Sequence, residues 1–558
     1  MCRSITNLLD RRVEFEILLA FLSIECFGME EKMKTKCNPI LYSDFPDPDI
    51  IRVGDTYYMA STTMHFMPGC DILRSYDLMN WEFVTHAYGT LEDTPGHRLE
   101  GGKHIYGQGM WAPSFRYHEG IFYLCFTAND THKTYLMTAR NPAGPWRVEN
   151  IEGFYHDSSL FFDDDGKVYI VYGNTELYLT QLRADLKGPL EGGLHRRIVR
   201  DKGALHLGYE GSHLYKKDGR YYLFTCHIPA WGNERKTEDC FIADSLEGEF
   251  RGKCIIDDDM GFHNLGVAQG GMVDTPEGDW YLFMFQDRGA VGRVPLVMPL
   301  HFDDAGYPTI GKDGKVPVHV SVPGTRPDHV YQPLNGSDDF LYQADENGRV
   351  HLKPFWQFNH NPIDRLWSVT ERQGAFRVYT EEVCDCLPFA HNVLTQRSYG
   401  PACAAWVTVD GSRMKDGDYA GICAWIGGYG AIALTKDKGD YYLVMFARPA
   451  ADETVEADPD FLSTPVEYER IPLPSSSAVL RVDLDFKDKK DTADFFYEED
   501  GRWKALGISH RLFFKLDHFT GCRFGLFAYA TRQPGGHVDF MKFRYRIGEE
   551  HGQIQEKA

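Results

Sequence analysis

The chain has 558 residues, 43% of them apolar and 25% charged, which is the balance of a folded globular protein with room for two to four domains. Its net charge of -22 excludes a nucleic-acid partner, because phosphate binding needs clustered Lys and Arg; it suits a neutral substrate. No apolar stretch approaches the length of a membrane span.

Residues 1–32 read as a non-native or disordered extension. Arg11 and Arg12 precede a short apolar run at Ile17–Leu22, but Glu14 and Glu16 interrupt the approach, and no small-residue cleavage site follows. Thirteen cysteines lack any CxxC or zinc spacing, and several, such as Cys125 and Cys423, sit in apolar runs. They read as reduced core thiols, which points to the cytoplasm.

From residue 33 to about 320 one phrase recurs five times: a β-rich run, a turn with an acid and a glycine, then an aromatic pair. The copies are Ile50–Tyr58, Pro113–Tyr123, Ser158–Tyr169, Gly211–Tyr222 and Gly270–Tyr281. Each predicts a strand, an Asp-Gly type turn and a second strand. Turn acids Asp55, Glu119, Asp165, Asp218 and Glu277 recur at the spacing of four-stranded propeller blades. A second phrase ends in an aromatic at Trp81, Trp146 and Phe250, predicting an outer turn whose ring packs between blades.

Eight residues before each turn acid stand Asp47, Trp111, Asp157, Glu210 and Gln269. Equal offsets along alternating strands predict equivalent orientation, hence a ring around the propeller axis. A single acid at a strand start is unremarkable; three carboxylates at one register are not. Glycoside hydrolysis needs an acid for the leaving oxygen and a carboxylate on the opposite face of the sugar. When that carboxylate activates water the reaction inverts, with the two carboxyls roughly 6.5–9.5 Å apart. A third carboxylate raises the proton affinity of the acid by like-charge repulsion.

The chain resembles glycoside hydrolase family 43, in the branch of β-xylosidases and α-L-arabinofuranosidases. The resemblance is carried by Phe45-Pro-Asp-Pro-Asp49 with Arg52, Gly109-Met-Trp-Ala-Pro113, His156-Asp-Ser-Ser-Leu160, Glu210-Gly-Ser-His-Leu-Tyr215, Gln269-Gly-Gly-Met-Val-Asp274 and Val291-Gly-Arg293. It implies an all-β fold, a five-bladed β-propeller followed by a β-sandwich, and inversion. It also implies Asp47 as general base, Asp157 as modulator and Glu210 as general acid. Arg293, with Arg288 as second choice, would reach the pocket and contact the sugar or the base. Trp111, Phe66, Trp231 and Gln269 complete the expected substrate-binding set. Ala268-Gln269 stand where many relatives carry a histidine, which argues against an axial calcium, so no cofactor and no metal ligand is expected.

Residues 321–337 read as linker, 338–548 as a concanavalin-like β-sandwich of short alternating strands, and 549–558 as a polar tail. By resemblance a loop of the sandwich closes one side of the active-site mouth, favouring exo action; the plainer alternative is an appendage with no catalytic part. The expected substrate is a hemicellulose oligosaccharide from which terminal xylose is released, with α-L-arabinofuranosidase activity as an addition. A dedicated α-L-arabinofuranosidase is the second reading. A non-catalytic carbohydrate-binding propeller is the reading of another class. No membrane partner is expected, and homo-oligomerisation stays open.

Overall fold

A computed structural model describes residues 33–202, 205–230, 234–448 and 464–548. Among these residues there is no α-helix, only strands and five short 3-10 turns. The expected extension, 1–32, and tail, 549–558, lie outside the described residues, as does Trp231.

The five phrases become five four-stranded antiparallel blades. Blade 1 runs Asp49–Val53, Thr56–Ser61, Gly69–Ser75 and Glu82–Tyr88, and blade 5 ends with Arg293–Phe302 and Pro308–Ile310. The innermost strands, Asp49–Val53, Met110–His118, Ser159–Phe162, Leu205–Lys217 and Val267–Asp274, touch one another in ring order and close the circle. The closing tie is outside the blades: Met33–Cys37 pairs antiparallel with His319–Pro323. That second strand crosses the expected boundary at 320/321, so the start of the expected linker belongs to the propeller. Interfaces between blades bury aliphatic and aromatic side chains, and this removal of apolar surface from water holds the ring together. Trp81 packs edge-on against Phe283 of blade 5, and Phe250 lies in the cluster shared by blades 3 and 4, as the outer-turn phrase predicts.

Blade 1 turns at Gly54-Asp55 with positive φ at Gly54 alone (64°), and the other four turns divide into two kinds. Glu119-Gly120 and Asp218-Gly219 have positive φ at both residues (48° and 81°, 51° and 78°), the two-residue hairpin turn that matches strand twist. Blades 3 and 5 use longer turns, closed by Asp163 N–H on Lys167 O (2.9 Å) and Thr275 N–H on Asp279 O (2.8 Å).

The second half is a sandwich of two eight-stranded sheets with a shared apolar core. One sheet runs from Val466–Leu473 through Asp418–Trp425, Arg523–Ala530 and Leu394–Arg397 to Gln357–Asn359, and its edge strand is Phe66–Met67 of the propeller. This corrects the reading of Phe66 as a sugar contact. Its ring is wholly buried, the Arg523 guanidinium lies 3.5 Å above it, and the rings of His65 and His518 flank it, so no face is left for a ligand. The residue's apolar bulk and its place before Met67-Pro68-Gly69 suit either role; strand pairing across the domain junction decides it.

The same junction buries an ion pair. Arg397 Nη2 lies 2.6 Å from Asp71 Oδ2, with both side chains at most 4% exposed, while His86 Nδ1 sits 2.8 Å from Asp71 Oδ1. The guanidinium of Arg397 holds the Asp71 carboxyl below the usual range against the opposing effect of burial. Removing one partner of a buried pair strands the other charge and costs about 3–5 kcal/mol, whereas replacing both by apolar groups is often neutral. Asp71→Ala is therefore expected to lower stability by about that amount, and Asp71→Ala/Arg397→Met to recover most of it. Urea denaturation midpoints check both; an additive double mutant would refute the pairing as the source of the cost.

Candidate active site

The five axial residues converge, but not by identical backbone geometry. Asp47 (φ 50°), Asp157 (46°) and Gln269 (60°) are themselves left-handed, whereas in blades 2 and 4 the next residue is: Ala112 (37°) and Gly211 (67°). The strand registers shift at the same places, between Trp111 and Ser114, Glu210 and His213, and Ala268 and Gly270. A left-handed residue at a strand start turns the chain so that the adjacent side chain points along the axis; each non-glycine one costs on the order of 1–3 kcal/mol. Gly211 is required on a second count, since a Cβ there would lie 2.7 Å from Gln269 Cγ.

Asp47, Asp157 and Gln269 line one narrow cavity with Ser158, Gly211 and His213. Asp47 is 6% exposed and receives Arg293 Nη1 at 3.0 Å on Oδ1 and 3.3 Å on Oδ2. Arg293, the first residue of its strand, is aimed by Asp44: Arg293 N–H donates to Asp44 Oδ1 (2.8 Å) and Gly521 N–H to Oδ2 (2.8 Å). Gly292 and Gly521 allow this clamp, because a Cβ on either would lie 2.3 Å from Asp44 Oδ1 or Val291 O. Arg288 is turned away from the carboxylates and lies over Phe262.

Asp157 is buried, and Gly211 N–H donates to its Oδ2 at 3.2 Å. Burial first, then the charges of Glu210 and Asp47, push its carboxyl up to about 7, although His156 pulls the other way. Glu210 is more open, with 18% of its side chain exposed, and Asn174 Nδ2 donates to its Oε2 at 2.5 Å. Thr225 Oγ1 donates to the Glu210 carbonyl at 2.6 Å, fixing the strand at the bulge. Between the two acids stands His156, with Nε2 3.8 Å from Asp157 Oδ1 and 3.5 Å from Glu210 Oε2. The negative charge of Asp157, then contact with Glu210, raises its imidazole to about 9 against the effect of burial. His156, Asp157 and Glu210 form the single cluster of three potential metal-ligating side chains found among the described residues, their ligand atoms all within 4.8 Å of one another.

The mouth is aromatic on one side. Trp111 lies 6.2 Å from the His156 ring and 5.4 Å from the Phe519 ring, and the Arg293 guanidinium sits 4.6 Å over Phe519. Phe519 (φ 55°) belongs to a loop of the sandwich, and its carbonyl accepts from Arg293 Nη2 at 3.4 Å. Gln269 faces Gly211, and its N–H donates to the buried Glu238 carboxyl at 2.8 Å. Asp47, Trp111, Asp157, Glu210, Gln269 and Arg293 thus come together as expected; Phe66 does not, and Trp231 lies outside the described residues. Sequence reasoning missed Asp44, His156, Asn174 and Phe519. His156 stood inside a quoted phrase with no role given. Phe519 carries no local signal beyond an irregular stretch before Gly521, because the residues it meets are hundreds of positions away.

The family model for glycosyl hydrolases family 43 matches residues 37–308, and the model for the beta xylosidase C-terminal concanavalin A-like domain matches 345–546. A beta-xylosidase from Formosa agariphila is 26% identical, over 92% of this chain and 90% of that protein. A non-reducing end alpha-L-arabinofuranosidase from Bacteroides ovatus is 29% identical, over 65% and 68%. A solved structure described as a bifunctional GH43-CE protein from Bacteroides eggerthii superposes with a TM-score of 0.84 at 38% identity, covering 93% of this chain and 64% of that longer one. Two domains, one ring of axial carboxylates and these likenesses lead to one assignment: the chain belongs to glycosyl hydrolase family 43.

Proposed function

We propose that the chain is an exo-acting, inverting glycosidase that releases terminal xylose from xylo-oligosaccharides, with α-L-arabinofuranosidase activity at the same site. The observation that carries this reading is the contrast among three carboxylates in one hollow. Asp47 is buried against a guanidinium, Asp157 is buried with its proton affinity raised, and Glu210 is the most open of the three.

Each environment suits one task. A general base must be anionic, and Arg293 gives Asp47 a fixed counter-charge and a fixed orientation. Asp47 takes a proton from water as its oxygen attacks the anomeric carbon. The glycosidic C–O bond breaks on the other face, and Glu210 gives its proton to the leaving oxygen. Asp157 touches neither oxygen in this scheme; it acts on the acid through position, since its Oδ1 and Glu210 Oε2 both face His156 Nε2.

The walls favour exo action. Phe519 packs 5.4 Å from Trp111, next to the cavity residue Ala112, and this closure of one side supports a blind pocket that takes the end of a sugar chain. The two relatives quoted, a xylosidase and an arabinofuranosidase, support a site that takes either pentose. A dedicated arabinofuranosidase is the second reading, favoured by the Bacteroides ovatus relative; rates on the two nitrophenyl glycosides separate them.

Glu210→Ala is expected to lower kcat/KM by about 10²–10⁴-fold on xylobiose, and far less on aryl glycosides whose leaving groups need no proton. Proton NMR of the first-formed product should show inverted anomeric configuration; retention would refute the roles given to Asp47 and Glu210. With Asp157 titrating near 7, the wild-type rate profile should carry an ionisation near neutral pH that Asp157→Asn lacks, read from kcat/KM between pH 5 and 9. Phe519→Ala, which removes a ring from the mouth and from Arg293, should reduce kcat/KM about tenfold, mainly through KM.

A further inference from the structure

His156 has no part in the hydrolytic scheme, yet it stands between two of the carboxylates. Its Nε2 faces Asp157 Oδ1 at 3.8 Å and Glu210 Oε2 at 3.5 Å. Both separations are at or beyond the limit of a hydrogen bond. The 3.5 Å separation matches the edge of a tetrahedron, since two ligands each about 2.0–2.2 Å from one zinc ion stand about 3.3–3.6 Å apart, and the 3.8 Å one closes by a few tenths of an ångström when an ion binds. All three atoms lie within 4.8 Å of one another.

The surroundings orient these atoms as outer contacts do in metal centres. Gly211 N–H holds Asp157 Oδ2 and leaves Oδ1 turned toward the imidazole. Asn174 Nδ2 fixes the Glu210 oxygen that faces His156. The Glu210 side chain is 18% exposed and the His156 side chain 24%, so an ion has a path in and a fourth position for water. Arg293 is engaged with Asp47, and an ion that binds takes the Nε2 lone pair of His156 by displacing its proton to solvent, so binding strengthens as pH rises.

We propose that His156 Nε2, Asp157 Oδ1 and Glu210 Oε2 form a binding site for a borderline transition-metal dication, zinc in particular, and that an ion held there is a reversible inhibitor competing with the sugar. One imidazole and two carboxylates select zinc, nickel or copper over calcium and magnesium, which prefer all-oxygen shells. The metal occupies the oxygen lone pair that otherwise carries the acid's proton and fills the place of the leaving oxygen. No bond of the substrate is made or broken by it. The site rests on geometry alone; the inhibition rests in addition on the reading of Glu210 as the acid.

The test separates the two. ZnCl2 is titrated by calorimetry into EDTA-treated full-length protein, and initial rates on xylobiose are measured with the same zinc and then with excess EDTA. A Cys37→Ser background removes the exposed Cys37–His319 contact (3.3 Å) as a competing zinc site. One ion per chain is expected, with affinity reduced about tenfold or more in His156→Ala, His156→Gln and Glu210→Ala, and retained in Asp47→Ala. Circular dichroism melting confirms that each variant is folded, and either His156 variant alone suffices. Zinc should raise apparent KM at constant kcat, and EDTA should reverse it. Zinc binding that is absent, or unchanged in both His156 variants, overturns the site. Binding at the site with no change in rate overturns the inhibition and counts against Glu210 as the acid. A protein inactive on every glycoside refutes the hydrolase reading while leaving the calorimetry to judge the site by itself.

Discussion

The buried pairing of Arg293 with Asp47 is the contact on which the rest of the site depends. An acidic pocket that excludes bulk water is costly unless its charges are paired or neutralised. Here one guanidinium serves Asp47 at 3.0 Å, and the remaining acids are handled differently: Asp157 moves toward its neutral form, and His156 stays charged between it and Glu210. The three carboxylates thereby acquire three characters from one shared hollow. That division is what a reaction needing a base and an acid requires: Arg293 sets Asp47 apart, while burial and the charges of its neighbours set Asp157 apart.

Arg293 could not hold that position without help from the second domain. Its backbone N–H rests on Asp44, whose other oxygen accepts from Gly521 of the sandwich. Its guanidinium is covered by Phe519 and donates to the Phe519 carbonyl. Covering the guanidinium lowers the local dielectric and strengthens its attraction to Asp47. A loop from one domain thus sets the electrostatics of a carboxylate in the other.

The fold was legible in the sequence because repeats expose their own period. The fivefold phrase gave the blade count, and the count of eight from turn acid to axial residue found Asp47, Trp111, Asp157, Glu210 and Gln269. Its premise of equal geometry was too simple. Bulges at Ala112 and Gly211 lengthen two strands, and longer turns at Asp163–Lys167 and Thr275–Asp279 lengthen two hairpins, so the offset survives by compensation. Phe66 misled for a physical reason: an aromatic before a Pro-Gly turn fits a ligand wall as well as an interdomain strand, and only pairing with Phe358 and Asn359 distinguishes them. Phe519 and Asp44 were invisible because their partners lie far off in sequence: Phe519 meets Trp111 and Arg293, and Asp44 meets Gly521, 477 positions away.

These contacts also decide what the sandwich is for. A removable binding appendage would meet the propeller through a modest, polar and replaceable surface. Here the sandwich sheet takes Phe66–Met67 from blade 1 as its edge strand. Arg523 and Arg397 are buried in the junction, where Arg523 Nη1 donates to Gln357 Oε1 (2.8 Å) and Gln357 Nε2 donates to Pro68 O (2.7 Å). Separating the domains would open a sheet edge, expose that network and uncover Arg293 in one step. The catalytic hollow and the sandwich are therefore parts of one structural unit, and the concanavalin-like domain is a wall of the active site rather than an addition to it.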